Sequence, residues 1–544
     1  MKITFISGLL FSLLLIGVSL FAEQLGLDND AGWGTGRLLM LKAGIVMSAA
    51  FTLCIVYEKK LPSLRRRMRS TTEPLRKIKP KARMVIFLSA EVLVVFAVYT
   101  WFSLPALQTG GFNHYSLLAQ AFHEGQLHLL EAPPPELLAL DNPFNYVVRK
   151  EKGIENYPFD ASLYDGKLYF YWGPAPSLLL SLLPSGAITR IRDVHLVVAF
   201  TCGLFLYSLL LGYSMWKRRN PALPAWLFGV SLLAIGLSAP TAQILRESRI
   251  YEAAISGCQF FFVGGLYWIY SAFEDEAPSR GKVLLAGIHW ALALGTRITI
   301  APVILFTTFM MLSRLPRQNR WQALTLAAFL CAPLAIATAG LAWYNWARFG
   351  SVLEFGLTYQ LANVDYSVFH DSFSTGYIGG NLYNYFIHPL EIRSRFPYLQ
   401  PIENLFTNEH LAGLIYVSPY ILFAAMFPLR FLPGFRRGDS PGNWFTLLLA
   451  GSASLAALVV LTFYFPTARY GEDFMPALLL LATDGVGEGF RLFGRSKTVR
   501  GIYILLVVLV ALGSALASSL VAIEPYRVKD IVHFLRGMRK LFGQ

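Results

Sequence analysis

Charge is scarce in this sequence. Of its 544 residues only 15% are charged, against roughly 25% in an ordinary soluble domain. That shortage excludes a disordered chain, a fibre and a typical soluble enzyme. Cysteine is scarcer still. Cys54, Cys202, Cys258 and Cys331 each sit alone inside an apolar run, with no CxxC or Cys/His spacing. Neither a disulfide framework nor a structural zinc site is indicated. A phosphate-cradling glycine loop is missing too. The stretch GVGEG at 485–489 follows an apolar run and lacks the strand–turn–helix setting of a nucleotide site. No inverted internal repeat of the kind that marks many transporters is visible.

Apolar residues are abundant. They make up 55% of the chain, and the mean hydropathy is +0.48. A bilayer core of about 30 Å takes roughly 20 apolar residues per helix. Thirteen runs qualify as helical segments: 3–21, 38–57, 84–104, 193–216, 222–240, 253–273, 283–296, 298–313, 321–346, 411–429, 442–465, 474–490 and 501–523. The fold class expected is an all-α polytopic membrane protein with about 13 transmembrane helices. The first run has Lys2 before it and Ala22 after it, but it is longer than a signal-peptide core and reads as an uncleaved anchor. The runs 283–296 and 298–313 read as a short helical pair with Arg297 at its outer tip. The proline-bounded stretch 173–189 reads as a re-entrant or interfacial segment.

Basic residues orient the chain. Lys and Arg number 47 against 33 Asp and Glu, a formal charge of +14. The segment 58–83 holds eleven of the basic residues, which makes it cytoplasmic. Alternation from there puts 27 of the 47 inside, on short loops. The positive charge is therefore a topology marker, not an affinity for nucleic acid. The organisation expected is a two-helix anchor with its basic loop (1–83), a transmembrane core (84–523) and an amphipathic basic tail (524–544). The core carries two large extracytoplasmic loops, 105–192 and 347–410. Loops of that length in a compact protein are usually functional, which places the active face outside the cytoplasmic membrane.

Chemistry is sought in those loops. Leu117, Leu118, Ala121 and Phe122 recur at helical spacing after Asn113, as in an amphipathic helix on the membrane surface with Asn113 as its cap. The Asp165-Gly166 pair reads as a turn between two short strands. Eight carboxylates lie in 105–172, and most read as solvated surface charge. Asp160, between Phe159 and Ala161 and close before an apolar segment, is costly at that depth without a task or a partner. It could act as a general base, or as a cap or a salt-bridge partner of Arg190 or Arg192. Asn113 and His114 are polar groups at the membrane rim. Arg246, Arg249, Arg297, Arg348 and Arg469 sit at outer helix ends, where each can snorkel. Together such residues would suit a lipid phosphate, which arginine binds bidentately.

Four stretches then carry a resemblance: NHYSLLAQAFHEGQLHL, YPFDASLYDGKLYFYWGPAPSLLL, ALALGTRITIAPVIL and ARYGEDFMPALLLLA. In this order, across residues 84–490, they resemble the GT-C class of membrane glycosyltransferases. Within it they are similar to the branch of protein O-mannosyltransferases, lipid A aminoarabinose transferases and lipopolysaccharide-core sugar transferases. The resemblance implies a GT-C-like fold and a sugar donor on a polyprenyl phosphate. It implies a glycan, lipid or protein acceptor and an inverting displacement at the outer face of the cytoplasmic membrane. The sites it implies are a base among Asp160, His114 and Asn113, and a donor-phosphate site from Arg246, Arg249, Arg297, Arg469 and Tyr470. Family members carry Asp or Glu directly after the first core span. Here that position holds Asn113, which leaves Asp160 as base and His114 as second choice. No metal ligand set is read, although a divalent cation stays possible. The alternatives are a transporter or lipid flippase, and a non-catalytic assembly protein of the envelope.

Overall fold

The structure, a computed structural model, describes residues 2–22, 33–57, 80–109, 112–431 and 443–523, apart from 155, 159, 222, 274–276, 317–318, 394–396, 405–406, 408 and 495. Most of the basic loop 58–83 and the whole tail 524–544 lie outside the described residues.

Helices α1 (Lys2–Leu20) and α2 (Thr35–Tyr57) pack on each other as a hairpin. Ser12 Oγ and Ser48 Oγ bond at 2.7 Å between them, the sort of small polar contact that lets apolar helices approach. Arg37 ties down the hairpin's outer end. It donates to the carbonyls of Ser19 and Leu20, and to the Tyr398 hydroxyl at 2.7 Å in the second outside loop. The core begins with α3 (Pro80–Thr109). A short α4 (His114–His123) and the strands β1 (Ser162–Tyr164) and β2 (Lys167–Tyr169) follow in the first outside loop. Then come α5 (Asp193–Arg219), α6 (Ala225–Leu237), α7 (Thr241–Glu247), α8 (Ile250–Ala272), α9 (Arg280–Thr296), α10 (Ala301–Leu312) and α11 (Arg320–Phe349). The last long helices are α12 (Asn443–Leu461), α13 (Met475–Phe493) and α14 (Lys497–Val521).

Among the described residues, seven helical stretches are long and apolar enough to cross a membrane: Met84–Gln108, Asp193–Arg219, Ala225–Glu247, Ile250–Ala272, Arg320–Phe349, Asn443–Leu461 and Lys497–Val521. Ile298–Leu312 and Pro419–Phe431 are shorter apolar helices. Many outward apolar side chains are bare, such as Leu305, Trp321 and Ile336 at 71–81% exposed. A soluble monomer does not tolerate that display; helices facing lipid do. The chain is thus a helical, multi-pass membrane protein. The expected run 411–429 is not one regular helix. A single turn at Leu414–Val417 breaks at Ser418, and a 3-10 helix follows over Pro419–Phe431. Pro419 and Pro428 lack the N–H that a continuous α-helix needs.

The end of the bundle away from α4, its inner end, is tied by buried charge. Arg219 pairs with Asp484 at 3.0 Å. Arg430 reaches both Asp484 and Glu488, and Arg491 pairs with Glu488 at 2.8 Å. Thr446 adds a hydroxyl to Asp484. Asp484, within the apolar run 474–490, thus meets Arg219, Arg430 and Thr446.

The two outside loops form one layer over the bundle. Strands β1 and β2 pair antiparallel, Ser162 opposite Tyr169. Asp165 and Gly166 between them both have positive φ, 47° and 68°, as the two-residue hairpin turn requires. The second loop then adds to this hairpin. Leu163 donates to the Tyr359 carbonyl and Leu361 to the Ala161 carbonyl, each at 2.8 Å. Arg149, 1% exposed, donates to the Ala362 carbonyl, the Pro143 carbonyl and the Tyr157 hydroxyl.

Candidate active site

Asp160 lies at the seam between the two loops, one residue before the stitched Ala161. It is 3% exposed and sits in the left-handed region at φ 60°, a conformation that Asp tolerates better than most residues but still at a cost. Among the described residues no hydrogen bond or ion pair reaches its carboxylate, so neither Arg190 nor Arg192 is its partner. Burial pushes the carboxyl up to about 7, against the pull of His114, Arg469, Arg149 and Arg249.

The basic groups reach this place on different elements. His114 starts α4 and is buried. Its ring lies 4.9 Å from Phe170 and 5.9 Å from Trp172. Trp172 touches Tyr251 of α8 edge-on at 5.5 Å. The Arg469 guanidinium stands 4.8 Å from the Tyr251 ring and 5.4 Å from the Tyr470 ring, and the Arg297 guanidinium stands 5.2 Å from Tyr470 on the far side. Tyr171 is held above the usual phenol range by burial, with Tyr470 and Asp160 adding to the effect. An aromatic floor of Tyr171, Trp172, Tyr251 and Tyr470 thus joins Asp160 and His114 to Arg469 and Arg297. Gly173 lets the floor form. A Cβ there would lie 2.2 Å from the Gly295 carbonyl oxygen and 2.7 Å from that of Thr296, so the first loop rests directly on the α9–α10 tip.

The expected cations are not equivalent. Arg246 is turned to the end of α14, where it donates to the Ala522 carbonyl at 2.6 Å, and to Glu247. It does not join the floor, because two acceptors hold it elsewhere. Arg249 is half exposed and paired with Glu247 and Glu252. Arg297 is paired with Asp473 at 3.0 Å. Arg348 is buried and donates to the Phe170 carbonyl, the Tyr344 carbonyl and Asn345, so it clamps the first loop to α11. Arg469 differs. No carboxylate among the described residues pairs with it, and its buried Nε has no hydrogen-bond partner. An arginine in that state is a candidate anion receptor.

Two expectations for the first loop are corrected. Helix α4 does not lie on the membrane surface, because His114, Tyr115, Ser116, Leu118, Ala119 and Ala121 are buried beneath the outer layer. Asn113 precedes the helix but makes no side-chain cap. The cap comes from Asp193 at the start of α5, whose carboxylate accepts from the backbone N–H groups of His114 and Tyr115. Asp193, Tyr171, Trp172, Tyr251 and Asp473 were invisible as site residues in the sequence. No spacing links them, and only the fold brings them together. Among the described residues no group of three or more His, Cys, Asp or Glu side chains could hold a metal ion, and no step below is routed through one.

No family model matches the chain, and no curated protein matches it. Among solved structures, a crystal structure of ArnT from Cupriavidus metallidurans bound to undecaprenyl phosphate is similar. It is 12% identical, covers 85% of this chain and 79% of that chain, and superposes with a TM-score of 0.39. A likeness of that size carries no argument about what this chain does.

Proposed function

We propose that this protein is a membrane glycosyltransferase of the GT-C type. It would move a sugar from a polyprenyl-phosphate donor to an envelope acceptor at the outer face of the cytoplasmic membrane, with inversion. The observation that carries the reading is a buried carboxylate without an ion pair, Asp160, within the electrostatic reach of Arg469, whose Nε has no hydrogen-bond partner. An acceptor hydroxyl or amine would give its proton to Asp160 as it attacks the sugar carbon. The departing lipid phosphate would take the guanidinium of Arg469, which stands against the rings of Tyr251 and Tyr470. The tyrosines and Trp172 offer flat faces for a sugar ring and keep water out. The resemblance of the four sequence stretches supports the same reading.

The test is transfer from a labelled polyprenyl-phosphate sugar by protein in nanodiscs. Asp160→Asn should lower it by roughly 10²–10⁴, since Asn tolerates the left-handed backbone and removes only the base. Full turnover by that variant would remove Asp160 as base. A base held near 7 works only when ionised, so the rate should rise with pH through about 7 and fall below it.

A further inference from the structure

The turn that carries Arg469 also carries a second buried carboxylate. It is a 3-10 turn, Ala468–Asp473, and its Glu472 lines a small internal cavity. Tyr99 of α3, Thr201 and Ser208 of α5, and Thr241 at the start of α7 line the same cavity. Glu472 is 4% exposed, and among the described residues no hydrogen bond or ion pair reaches its carboxylate. It lies within electrostatic reach of Tyr99. Burial pushes its carboxyl up to about 8, with Asp473 adding to the effect. No basic side chain lines the cavity; its other walls are apolar, among them Phe205. Arg297 is taken by the neighbouring Asp473.

Four hydroxyl-bearing residues thus share a cavity with one carboxylate. Thr201 is buried, and its Oγ1 has no hydrogen-bond partner. The Tyr99 hydroxyl donates to the Gly236 carbonyl at 2.7 Å, which leaves its oxygen able to accept or to coordinate. The space is about 20 Å³, enough for one occupant of water size, which needs roughly 10–15 Å³. A water would satisfy hydroxyls but would leave an ionised carboxylate uncancelled in a low-dielectric interior. A divalent ion would bring a surplus charge into the same interior. One carboxylate with hydroxyl oxygens is the donor set of a hard cation, and a single negative charge matches a single positive one.

We infer that the cavity between α3, α5, α7 and the turn Ala468–Asp473 is a site for an alkali-metal cation, with Glu472 as counter-charge and the hydroxyls of Tyr99, Thr201, Ser208 and Thr241 as neutral donors. The ion takes no part in the transfer step. It steadies the turn through Glu472, and the same turn presents Arg469. That consequence, unlike the site itself, rests on the transferase reading.

The experiment is the melting of full-length protein in nanodiscs at constant ionic strength, with sodium, potassium or choline chloride as the salt. Sodium should raise the melting point a few degrees above that in choline, in a saturable way, because an ion bound only by the folded protein stabilises it. Potassium should do the same or less. Glu472→Gln should remove the difference. Thr201→Val keeps the side chain's shape, loses one donor oxygen and should raise the sodium concentration at half effect several-fold. Equal melting in all three salts overturns the inference, since it leaves Glu472 protonated and no cation bound. A full sodium shift in Glu472→Gln overturns it too. If Glu472→Gln fails to fold, an unchanged half-effect concentration in Thr201→Val does the same. None of these readings needs sugar transfer, so the site can stand where the transferase reading fails. Where transfer is seen, exchange of sodium for choline should raise the KM for the lipid donor several-fold with kcat nearly unchanged. A sodium-dependent melting point with a sodium-independent KM keeps the site and removes its effect on Arg469.

Discussion

The inner and outer ends of this bundle both bury charge, and they do it in opposite ways. At the inner end Arg219, Arg430 and Arg491 are matched by Asp484 and Glu488 within hydrogen-bond reach, with Thr446 filling a remaining acceptor. At the outer end Asp160 has no partner among the described residues, and the Arg469 Nε has none. Charges taken out of water are tolerable when paired and hydrogen-bonded. The inner carboxylates are each met by arginine, and the network joins α5, α12, α13 and the 3-10 helix. The outer carboxylate has no such ion pair among the described residues.

That contrast can be broken by exchange of single residues. The largest effect falls on the outer carboxylate: Asp160→Asn should lower turnover by roughly 10²–10⁴, the usual worth of a general base. The same change should stabilise the fold. A carboxyl held at about 7, above its unfolded value, binds its proton more readily when folded. Its ionisation thus erodes stability as pH rises from about 4 through 7. Asp160→Asn protein should melt a few degrees higher than wild type at pH 8, with the gain shrinking as pH falls; an equal or lower melting point at pH 8 would place the carboxylate in a satisfied setting. At the inner end Arg430→Met should do the reverse. It removes one of the two arginines that meet each of Glu488 and Asp484 and should cost up to about 3 kcal/mol, read as loss of folded protein in a thermal or denaturant series, with normal turnover per folded molecule.

Smaller effects refine the comparison. Arg469→Gln should reduce affinity for the lipid-phosphate donor about ten- to a hundredfold at little cost in stability, because no ion pair is lost. A donor KM unchanged from wild type would assign the phosphate elsewhere. Gly173→Ala should lift the aromatic floor from the α9–α10 tip and reduce turnover several-fold, measurable as a kcat loss in protein that still melts cooperatively.

Some of this was legible in the residues. Apolar runs of about 20 residues announce a helical membrane protein, because bilayer thickness acts on local sequence. The Asp165-Gly166 turn was readable for the same reason: two adjacent positive-φ positions are a local demand. Asp160 could be singled out because a carboxylate beside an apolar segment is costly wherever the chain goes. The cations were read as a set, and there the sequence misled. Arg246, Arg249, Arg297, Arg348 and Arg469 look alike on the page, yet four are taken by acceptors and one keeps an unsatisfied Nε.

The sequence by itself determined the solvent of this protein, since hydrophobic length is summed along the chain. Only the tertiary structure decided which charges are paired. Asp473 reaches Arg297 across 176 positions, and Asp193 at the start of α5 meets His114 some eighty positions earlier. Electrostatic partnership depends on distances of a few ångströms in a low-dielectric interior, and separation along the chain carries no such information.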